Sequence, residues 1–180
     1  IINAISNYNT GTLQKFDSIY RHSKLTGIID GVDNSILSNI TTVKIRKSFT
    51  PTLASSTKYS IYFRNALFNP HAGHNAMAGG ILSSTGFKVE GNDNEMFLDD
   101  DGAGNVRRYY LQSGIRTYEN NTQGTIDYTS GEIIINSLNV ASISNIRGVT
   151  STVIELTTTP LSNDVVPVRD QIVEIDISNS

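Results

Sequence analysis

The feature that most constrains the fold is a series of short alternating apolar and polar stretches, separated by glycine and asparagine, from residue 87 onward. Alternation puts side chains on the two faces of a strand, and turns at this spacing are typical of meanders, sandwiches and barrels. The clearest hairpin turn is Tyr128-Thr129-Ser130-Gly131, because glycine supplies the positive φ that a tight turn requires. The pattern predicts strands at residues 87–90, 95–98, 105–112, 116–119, 125–128, 132–138, 142–146, 149–157 and 171–177.

The N-terminal part has helical periodicity instead. Apolar residues recur at spacings of three and four and predict a helix over residues 12–29, continuous or broken near residue 22; they are Leu13, Phe16, Ile19, Tyr20, Leu25, Ile28 and Ile29. We expect Ser23 to cap its second half and Gly31 to end it in the left-handed conformation. Alternation then predicts strands at 43–49 and 59–63, which we expect to pair with each other.

These elements predict an α+β fold that is mostly β. A helical N-terminal segment is followed by short antiparallel strands that form a sandwich or a partly open barrel. The predicted portions are a helical and two-strand part at 1–67, a long loop or flap at 68–86, and an all-β part at 87–180. All three belong to one continuous domain if they share a core. Residues 161–167 lie between prolines and predict a linker.

Composition excludes several classes of protein. The 180 residues include no cysteine, so disulfides and thiolate metal sites are excluded. The net charge of −3 and the scattered lysines and arginines do not favour nucleic acid as a partner. No apolar run approaches the roughly 20 residues that a membrane-spanning helix needs, so we expect no membrane partner.

One loop has the composition of a cation site. Asp99, Asp100, Asp101 and Asn105 supply the oxygen ligands that calcium prefers, around two glycines. An EF-hand loop places ligands at alternate positions and ends in a bidentate glutamate, and this loop lacks that glutamate. An ordinary acidic turn is therefore favoured over a calcium site.

Catalytic patterns are weak throughout. His71 and His74 are close in sequence, but alanine and glycine stand between them where a zinc hydrolase has a glutamate. There is no Gly-x-Ser-x-Gly motif, and the carboxylates Glu90, Glu95 and Asp127 are no more than any acidic β protein offers. We predict no catalytic residue, no cofactor and no enzymatic activity.

The candidate interface residues are aromatic, aliphatic and basic. Arg107 and Tyr109 belong to an Arg-Arg-Tyr-Tyr run on a predicted strand, and these two residue types anchor many protein interfaces. Leu13, Phe16 and Tyr20 belong to the apolar stripe of the predicted helix, which is a second candidate for contact with another copy. For both groups, burial in the core of the chain itself is the alternative.

Three stretches carry a resemblance to a known family: residues 23–49, SKLTGIIDGVDNSILSNITTVKIRKSF; residues 124–136, GTIDYTSGEIIIN; and residues 169–177, RDQIVEIDI. Together they resemble the C-terminal part of the baseplate wedge protein of contractile-tailed bacteriophages, in the baseplate J-like group. The resemblance implies a structural virion protein of the tail baseplate, assembled in the cytoplasm of the bacterial host. Its implied partners are other copies of itself, as a homodimer or ring, and other wedge proteins.

Two other functions are compatible with the residues. A receptor- or glycan-binding β module of a tail fibre or adhesin would use exposed aromatic side chains and the loop at 99–105. The absence of tryptophan disfavours this alternative. A hydrolase is the third hypothesis, and the sequence indicates no residue that would perform its chemistry.

Overall fold

The computed structural model describes residues 1–73, 80–168 and 171–179. The chain divides into two compact units. Unit 1 combines both ends, Ile1–Val43 and Ser162–Ser180, and unit 2 is the middle, Lys44–Leu161. The fold class is confirmed as mostly β, with a helical N-terminal segment and antiparallel sheets. The predicted division into portions at 1–67, 68–86 and 87–180, or one continuous domain, stays a prediction.

Unit 1 contains two short helices instead of one long helix. Helix α1 is Ile2–Tyr8, a π-helical turn follows at Asn9–Leu13, and α2 is His22–Asp30. The prediction of helix across residues 14–21 is wrong, since those residues are not helical. Asp17 has a φ of 60°, which a right-handed helix does not accept. Helix α1 was not predicted.

The ends of α2 differ from the predicted caps. Ser23 lies inside the helix, and the N-cap residue is Arg21, whose side chain makes no capping hydrogen bond. The backbone N–H of His22 donates instead to the Asp164 carboxylate at 2.9 Å. Gly31 is the C-cap, as expected, but its φ of −78° is right-handed. Both detailed cap predictions were therefore wrong.

The C-terminal segment packs on the helices of unit 1. Tyr20 and Val165 form an isolated antiparallel bridge through two backbone hydrogen bonds of 3.0 Å. Further along, the buried Asn9 side chain accepts from the N–H of Ile175 at 2.8 Å and donates to its carbonyl oxygen at 3.4 Å. No strand forms in the described part of the segment, 171–179, so the strand predicted at 171–177 is wrong. The Asn9 side chain forms with Ile175 the two backbone hydrogen bonds that a neighbouring strand would otherwise form.

Unit 2 is built from ten strands: β1 Ile45–Phe49, β2 Thr57–Tyr62, β3 Ser83–Ser84, β4 Phe87–Val89, β5 Asn92–Asp100, β6 Asn105–Gln112, β7 Ile115–Asp127, β8 Glu132–Leu138, β9 Val140–Ile143 and β10 Ile154–Thr158. They form a three-stranded sheet, in the order β1-β10-β3, and a seven-stranded sheet, in the order β2-β8-β7-β6-β5-β4-β9. Every neighbouring pair is antiparallel.

The larger sheet curls because its strands β8 and β9 are nearly continuous. Asn139 alone separates them; β8 pairs with β7, whereas β9 pairs with β4 four strands away. Opposite ends of the sheet are thereby joined through one bent stretch of chain, which gives a partly open barrel. Buried apolar residues from alternate strand positions form the core, including Phe87, Met96, Leu98, Val106, Ile133, Ile135, Leu138, Val140, Ile154 and Leu156.

The predicted pairing of the first two strands is wrong. Strand β1 pairs with β10, with Ile45 opposite Thr158 and Phe49 opposite Ile154, while β2 pairs with β8. Phe49 and Tyr59 still touch, with ring centroids 4.8 Å apart. The pairing of β1 with β10 also places the beginning and the end of unit 2 on adjacent strands.

The predicted hairpin at residues 128–131 is confirmed. It joins β7 to β8, and Gly131 has a φ of 70°. A Cβ at this position would lie 2.3 Å from the carbonyl oxygen of Asn65, so glycine is required by space as well as by conformation. The two strands predicted at 116–119 and 125–128 are one long strand, β7.

Candidate interaction surface

The three consecutive aspartates occupy three different environments. Strand β5 ends at Asp100. Alternation places Leu98 and Asp100 on the core face and Asp99 on the opposite face. Asp101 lies in the turn, where its carboxylate accepts hydrogen bonds from the N–H groups of Ala103 and Asn105 and from the Asn105 amide. Those bonds lower the pKa of Asp101 against the opposing effect of burial.

Asp100 is fully buried and accepts four hydrogen bonds. Its Oδ1 accepts from the N–H groups of Ile81 and Leu82 at 2.7 and 2.8 Å. Its Oδ2 accepts from the hydroxyl of Tyr128 at 2.6 Å and from the N–H of Gly102 at 3.2 Å. Burial and the neighbouring carboxylate raise the pKa of Tyr128. Asp100 therefore joins the chain at 81–82 to the β5–β6 turn and to the end of β7.

Asp99 is the centre of an ion network on the outside of the sheet. It is buried and accepts from Arg107 at 2.9 and 3.2 Å, from Arg116 at 2.8 Å and from the Tyr118 hydroxyl at 2.8 Å. Burial raises the pKa of Asp99, and the bond from Tyr118 and the two guanidinium charges oppose that rise. Burial also raises the pKa of Tyr118, as does its bond to Asp99.

Aromatic rings extend this network across three strands. Phe97 and Tyr109 stack with centroids 5.7 Å apart, and Tyr109 and Tyr118 lie at the same distance, tilted. The guanidinium of Arg107 lies 4.2 Å from the Tyr118 ring centroid, and that of Arg116 lies 4.8 Å from the Tyr109 centroid. We call this set the outer face; it consists of Phe97, Asp99, Arg107, Tyr109, Arg116 and Tyr118.

The loop carboxylates are thus already hydrogen-bonded to protein groups. A calcium ion would have to replace donors to Asp99, Asp100 and Asp101, which lie on different sides of the strand. Within the part of the chain that the structure describes, no group of three or more His, Cys, Asp or Glu residues is placed to share a metal ion. His74 lies outside the described residues, and calcium binding stays an untested hypothesis.

The five predicted interface residues are unevenly exposed. Leu13 and Tyr20 are buried in unit 1, and burial raises the pKa of Tyr20 to about 12, with help from Tyr8 and Asp164. Phe16 is 69% exposed. Arg107 and Tyr109 do meet on one face, as the strand pattern indicated, but both are largely buried.

A more exposed feature was missed by the sequence analysis. The β6–β7 hairpin ends in a tight turn at Ser113 and Gly114, whose φ values are 51° and 79°. Leu111 and Ile115 flank that turn and are 52% and 71% exposed. The Ser-Gly dipeptide between two alternating stretches was the available signal. The outer face fixes the base of this hairpin, because Arg116, directly after Ile115, is bonded to Asp99.

The comparison with known families concerns the first 48 residues, which include both helices of unit 1 and most of β1. Residues 1–48 match the model of the family "Baseplate structural protein gp6, C-terminal domain III". The matched segment resembles a phage baseplate wedge protein. The predicted resemblance is thereby confirmed for 48 of the 180 residues. They include most of the first quoted stretch, residues 23–49, while the other two stretches lie beyond the match.

The gp6 match supports a structural role in the phage baseplate and indicates the virion tail baseplate as the location. The family is one of structural proteins and baseplate components. A search of curated proteins found no match to the chain. None of the helices within the described residues is long and apolar enough to span a membrane.

Proposed function

We propose that the chain is a non-catalytic subunit of the baseplate wedge of a contractile phage tail. It acts through contacts with other copies of itself and with other wedge proteins. The observation that carries this proposal is the gp6 match over residues 1–48, which covers the helices of unit 1. The surface of that matched segment is consistent with an assembly role.

Unit 1 exposes much of its apolar surface. Its buried apolar residues are Ile5, Tyr8, Leu13, Tyr20, Leu25, Ile29, Val43 and Val165. Its exposed large apolar residues are more numerous: Ile1, Ile2, Phe16, Ile19, Val32, Leu37, Ile40, Val166, Val168 and Ile172. Large exposed apolar surface is typical of proteins that bind other proteins.

Leu37 and Ile40 are the extreme case, at 95% and 99% exposed. The segment that carries them is attached to α2 by its polar residues. The Asn39 amide donates to the Thr26 carbonyl at 3.2 Å and to Asp30 at 2.5 Å, and the Thr41 hydroxyl donates to Asn39 at 2.9 Å. Polar side chains thus face the unit while aliphatic ones face outward, which supports a contact with another protein at this position.

The test uses the virus that encodes the chain. Tails purified from virions are analysed by mass spectrometry for the wild-type chain and for the Leu37→Ser/Ile40→Ser variant. We expect the wild type in the tails and at least about a tenfold loss of the variant, because burying such side chains contributes about 1.5–3 kcal/mol each. Leu53→Ser/Val149→Ser, which alters exposed apolar residues of unit 2, is the matched control. Absence of the wild-type chain from purified tails would refute the proposal.

The receptor- or glycan-binding alternative has less support. Sugars stack on open aromatic faces, but guanidinium groups cover the Tyr109 and Tyr118 rings of the outer face. Glycan-array binding that depends on calcium would favour the alternative. Turnover on a hydrolase panel would contradict the non-catalytic role.

A further inference from the structure

The charges of unit 2 are divided along its sequence. Residues 44–89 contain six lysines and arginines and no aspartate or glutamate, whereas residues 90–161 contain four and ten. The basic part includes β1 and β2, each of which stands at an end of the strand order of its sheet. Positive charge is therefore concentrated where two sheet edges lie.

The two edge strands meet at their aromatic side chains. The ring centroids of Phe49 on β1 and Tyr59 on β2 are 4.8 Å apart. Alternation puts Ile45, Lys47 and Phe49 on one half-buried face of β1, and Ile45 and Phe49 pack against the core. Lys47 lies between them, so its aliphatic part is covered and its ammonium group is left at the boundary of the two strands.

Arg64 follows β2 on the other side of this boundary. It is exposed and has a φ of 56°, a conformation that glycine adopts without strain and arginine does not. The preceding residue is fixed, since the N–H of Phe63 donates to the Gly131 carbonyl at 2.8 Å. The guanidinium is therefore presented from a strained and well-defined position, and such positions often have a function.

Lys47 and Arg64 have no neutralising partner within the described part of the chain. Neither side chain forms an ion pair or a hydrogen bond with a residue that the structure describes. Burial lowers the pKa of Lys47, and the charge of Arg64 lowers it further. Two like charges thus oppose each other at a partly desolvated position, and an anion bound between them would relieve that repulsion.

Neighbouring carboxylates are bound elsewhere or set apart. Glu155 on β10 is bonded to Arg46 at 2.9 Å and lies 3.5 Å from Arg147. Glu132 on β8 is opposite Tyr62 and makes no ion pair with a described residue. The anion that fits the two cations must therefore come from outside unit 2.

We propose that Lys47 and Arg64, which we call the basic pair, bind the carboxylates of an acidic segment from another protein of the baseplate. This inference rests on the proposed function and gives its contact with other wedge proteins a surface and a chemistry. Charge complementarity of this kind fixes the register of a contact and suppresses wrong partners. The Arg64 fork adds bidentate geometry to the point charge of Lys47.

The charges of the chain favour a short acidic segment of a different protein. An extended polyanion such as nucleic acid would be repelled by residues 90–161, where acidic residues outnumber basic ones. A second copy offers few available carboxylates, because six of the ten in unit 2 are already bonded within the chain: Asp99, Asp100, Asp101, Glu119, Asp127 and Glu155.

The first test cross-links tails purified from virions with a water-soluble carbodiimide, which joins a lysine amine to a carboxylate in direct contact. We expect mass spectrometry to find Lys47 joined to an aspartate or glutamate of a different tail protein. The exposed Lys15 and Lys88 are the controls, and we expect Lys47 to exceed them at least severalfold. Cross-links of Lys47 only within the chain or to a second copy, or no excess over the controls, overturn the proposal.

The second test measures binding to the isolated chain by fluorescence anisotropy. The probe is a labelled short peptide of alternating aspartate and serine, and the same peptide with asparagine for aspartate is the uncharged control. We expect Lys47→Gln/Arg64→Gln to weaken binding of the acidic peptide about fivefold at low salt, since each exposed ion pair contributes modestly. Lys15→Gln/Lys88→Gln removes the same charge and leaves binding nearly unchanged.

A short DNA duplex and inorganic phosphate are measured beside the peptide. Binding of either that depends more strongly on the basic pair than peptide binding does assigns the site to phosphate and overturns the proposal. Equal weakening by the two double variants, or no binding of the acidic peptide to the wild-type chain, also overturns it.

Urea unfolding separates binding from a structural role. Lys47→Gln/Arg64→Gln removes a repulsion, and Arg64→Gly also removes backbone strain, so we expect neither to lower the urea midpoint and Arg64→Gly to raise it. A lower midpoint in both variants would show that the pair serves the fold and would overturn the binding role.

The outcomes also separate this inference from the proposed function. Tails that contain the chain but show no cross-link from Lys47 overturn the basic pair alone. Absence of the chain from tails overturns the proposed function, while peptide binding by the isolated chain still decides whether the basic pair takes carboxylates.

Discussion

Replacing Asp100 by asparagine should destabilise unit 2 by about 3 kcal/mol, although the side chain keeps its size. In the native structure Oδ1 accepts from two backbone N–H groups and Oδ2 accepts from Gly102 and Tyr128. Asparagine retains one acceptor oxygen, and its amide group faces donors at the other position. The Tyr128 hydroxyl rotates to accept from that amide, but the Gly102 N–H is left facing a donor.

The magnitude follows from these four bonds. Hydrogen bonds to a charged group contribute about 1.5–3 kcal/mol and neutral ones about 0.5–1.5 kcal/mol, so the three retained bonds lose about 1 kcal/mol each. The unpaired Gly102 N–H adds about 1–3 kcal/mol. Removing a fully buried charge offsets part of this loss, because the asparagine has a smaller desolvation cost. The net destabilisation is about 3 kcal/mol.

The assay is urea unfolding followed by far-ultraviolet circular dichroism, with hydrogen exchange at the amides of Ile81 and Leu82. Asp127→Asn is the matched control, because Asp127 accepts three bonds from Thr129 and Ser130 but is exposed in its turn. We expect a much smaller change there than for Asp100→Asn, since water replaces the lost bonds. Equal losses in the two variants, or unchanged exchange at residues 81 and 82, would refute the reasoning.

Three further changes test the rest of the structure. Gly131→Ala should lower the free energy of unfolding by more than about 1–2 kcal/mol, because strain at positive φ adds to a clash with the Asn65 carbonyl oxygen. Gly114→Ala is the control, since it has the same strain but open space around the new Cβ. Equal unfolding free energies of the two variants would contradict the clash. Asn9→Ala should lose about 1–3 kcal/mol and expose residues 171–176 to proteolysis, while the exposed contact of Gln14 with Glu174 makes Gln14→Ala a near-neutral control. Burial raises the pKa of Tyr20 from 10.0 to about 12 in the folded chain. The contribution of this shift to the free energy of unfolding is therefore complete below pH 10 and is lost as pH rises toward 12. Tyr20→Phe should remove that loss, and an alkaline absorbance titration in which Tyr20 ionises near pH 10 would contradict it.

The local sequence pattern predicts many strands of unit 2 but few of the pairings between those strands. Alternation located β6 and β8 at their observed bounds, and Gly131 located the hairpin after β7. Alternation assigns a strand's faces but not its partner, so β1 was paired with the wrong strand. The same limitation explains why the strand predicted at 171–177 is wrong. The backbone there is hydrogen-bonded at Ile175 to the side chain of Asn9 and not to a neighbouring strand.

Helical spacing was misleading in unit 1 for a different reason. Phe16 and Ile19 continue the spacing of Leu13, but Asp17 has a positive φ and the chain turns there. Helix α1 was missed because Ile5 and Tyr8 are its only buried residues, which is too few for a periodic signal in seven residues. Exposure of Phe16 and burial of Tyr20 depend on tertiary packing, which no local pattern contains.

The acidic run illustrates how a strand pattern could have improved the site prediction. The sequence pattern assigns the three adjacent aspartates to one loop, because the predicted strand ends at Leu98. Extending that strand by two residues puts Asp99 and Asp100 on opposite faces, as observed. Their arginine, tyrosine and backbone partners come from strands distant in sequence, and only the fold brings them together.

The pairing of β1 with β10 has a consequence for how such a virus changes over time. Since the middle of the chain begins and ends on adjacent strands, recombination could replace residues 44–161 with another sequence whose termini are equally close. The helices and the C-terminal segment would keep their own contacts after such an exchange. A tailed virus could thus acquire a new middle module while residues 1–43, most of the segment that matches the gp6 family, are inherited intact.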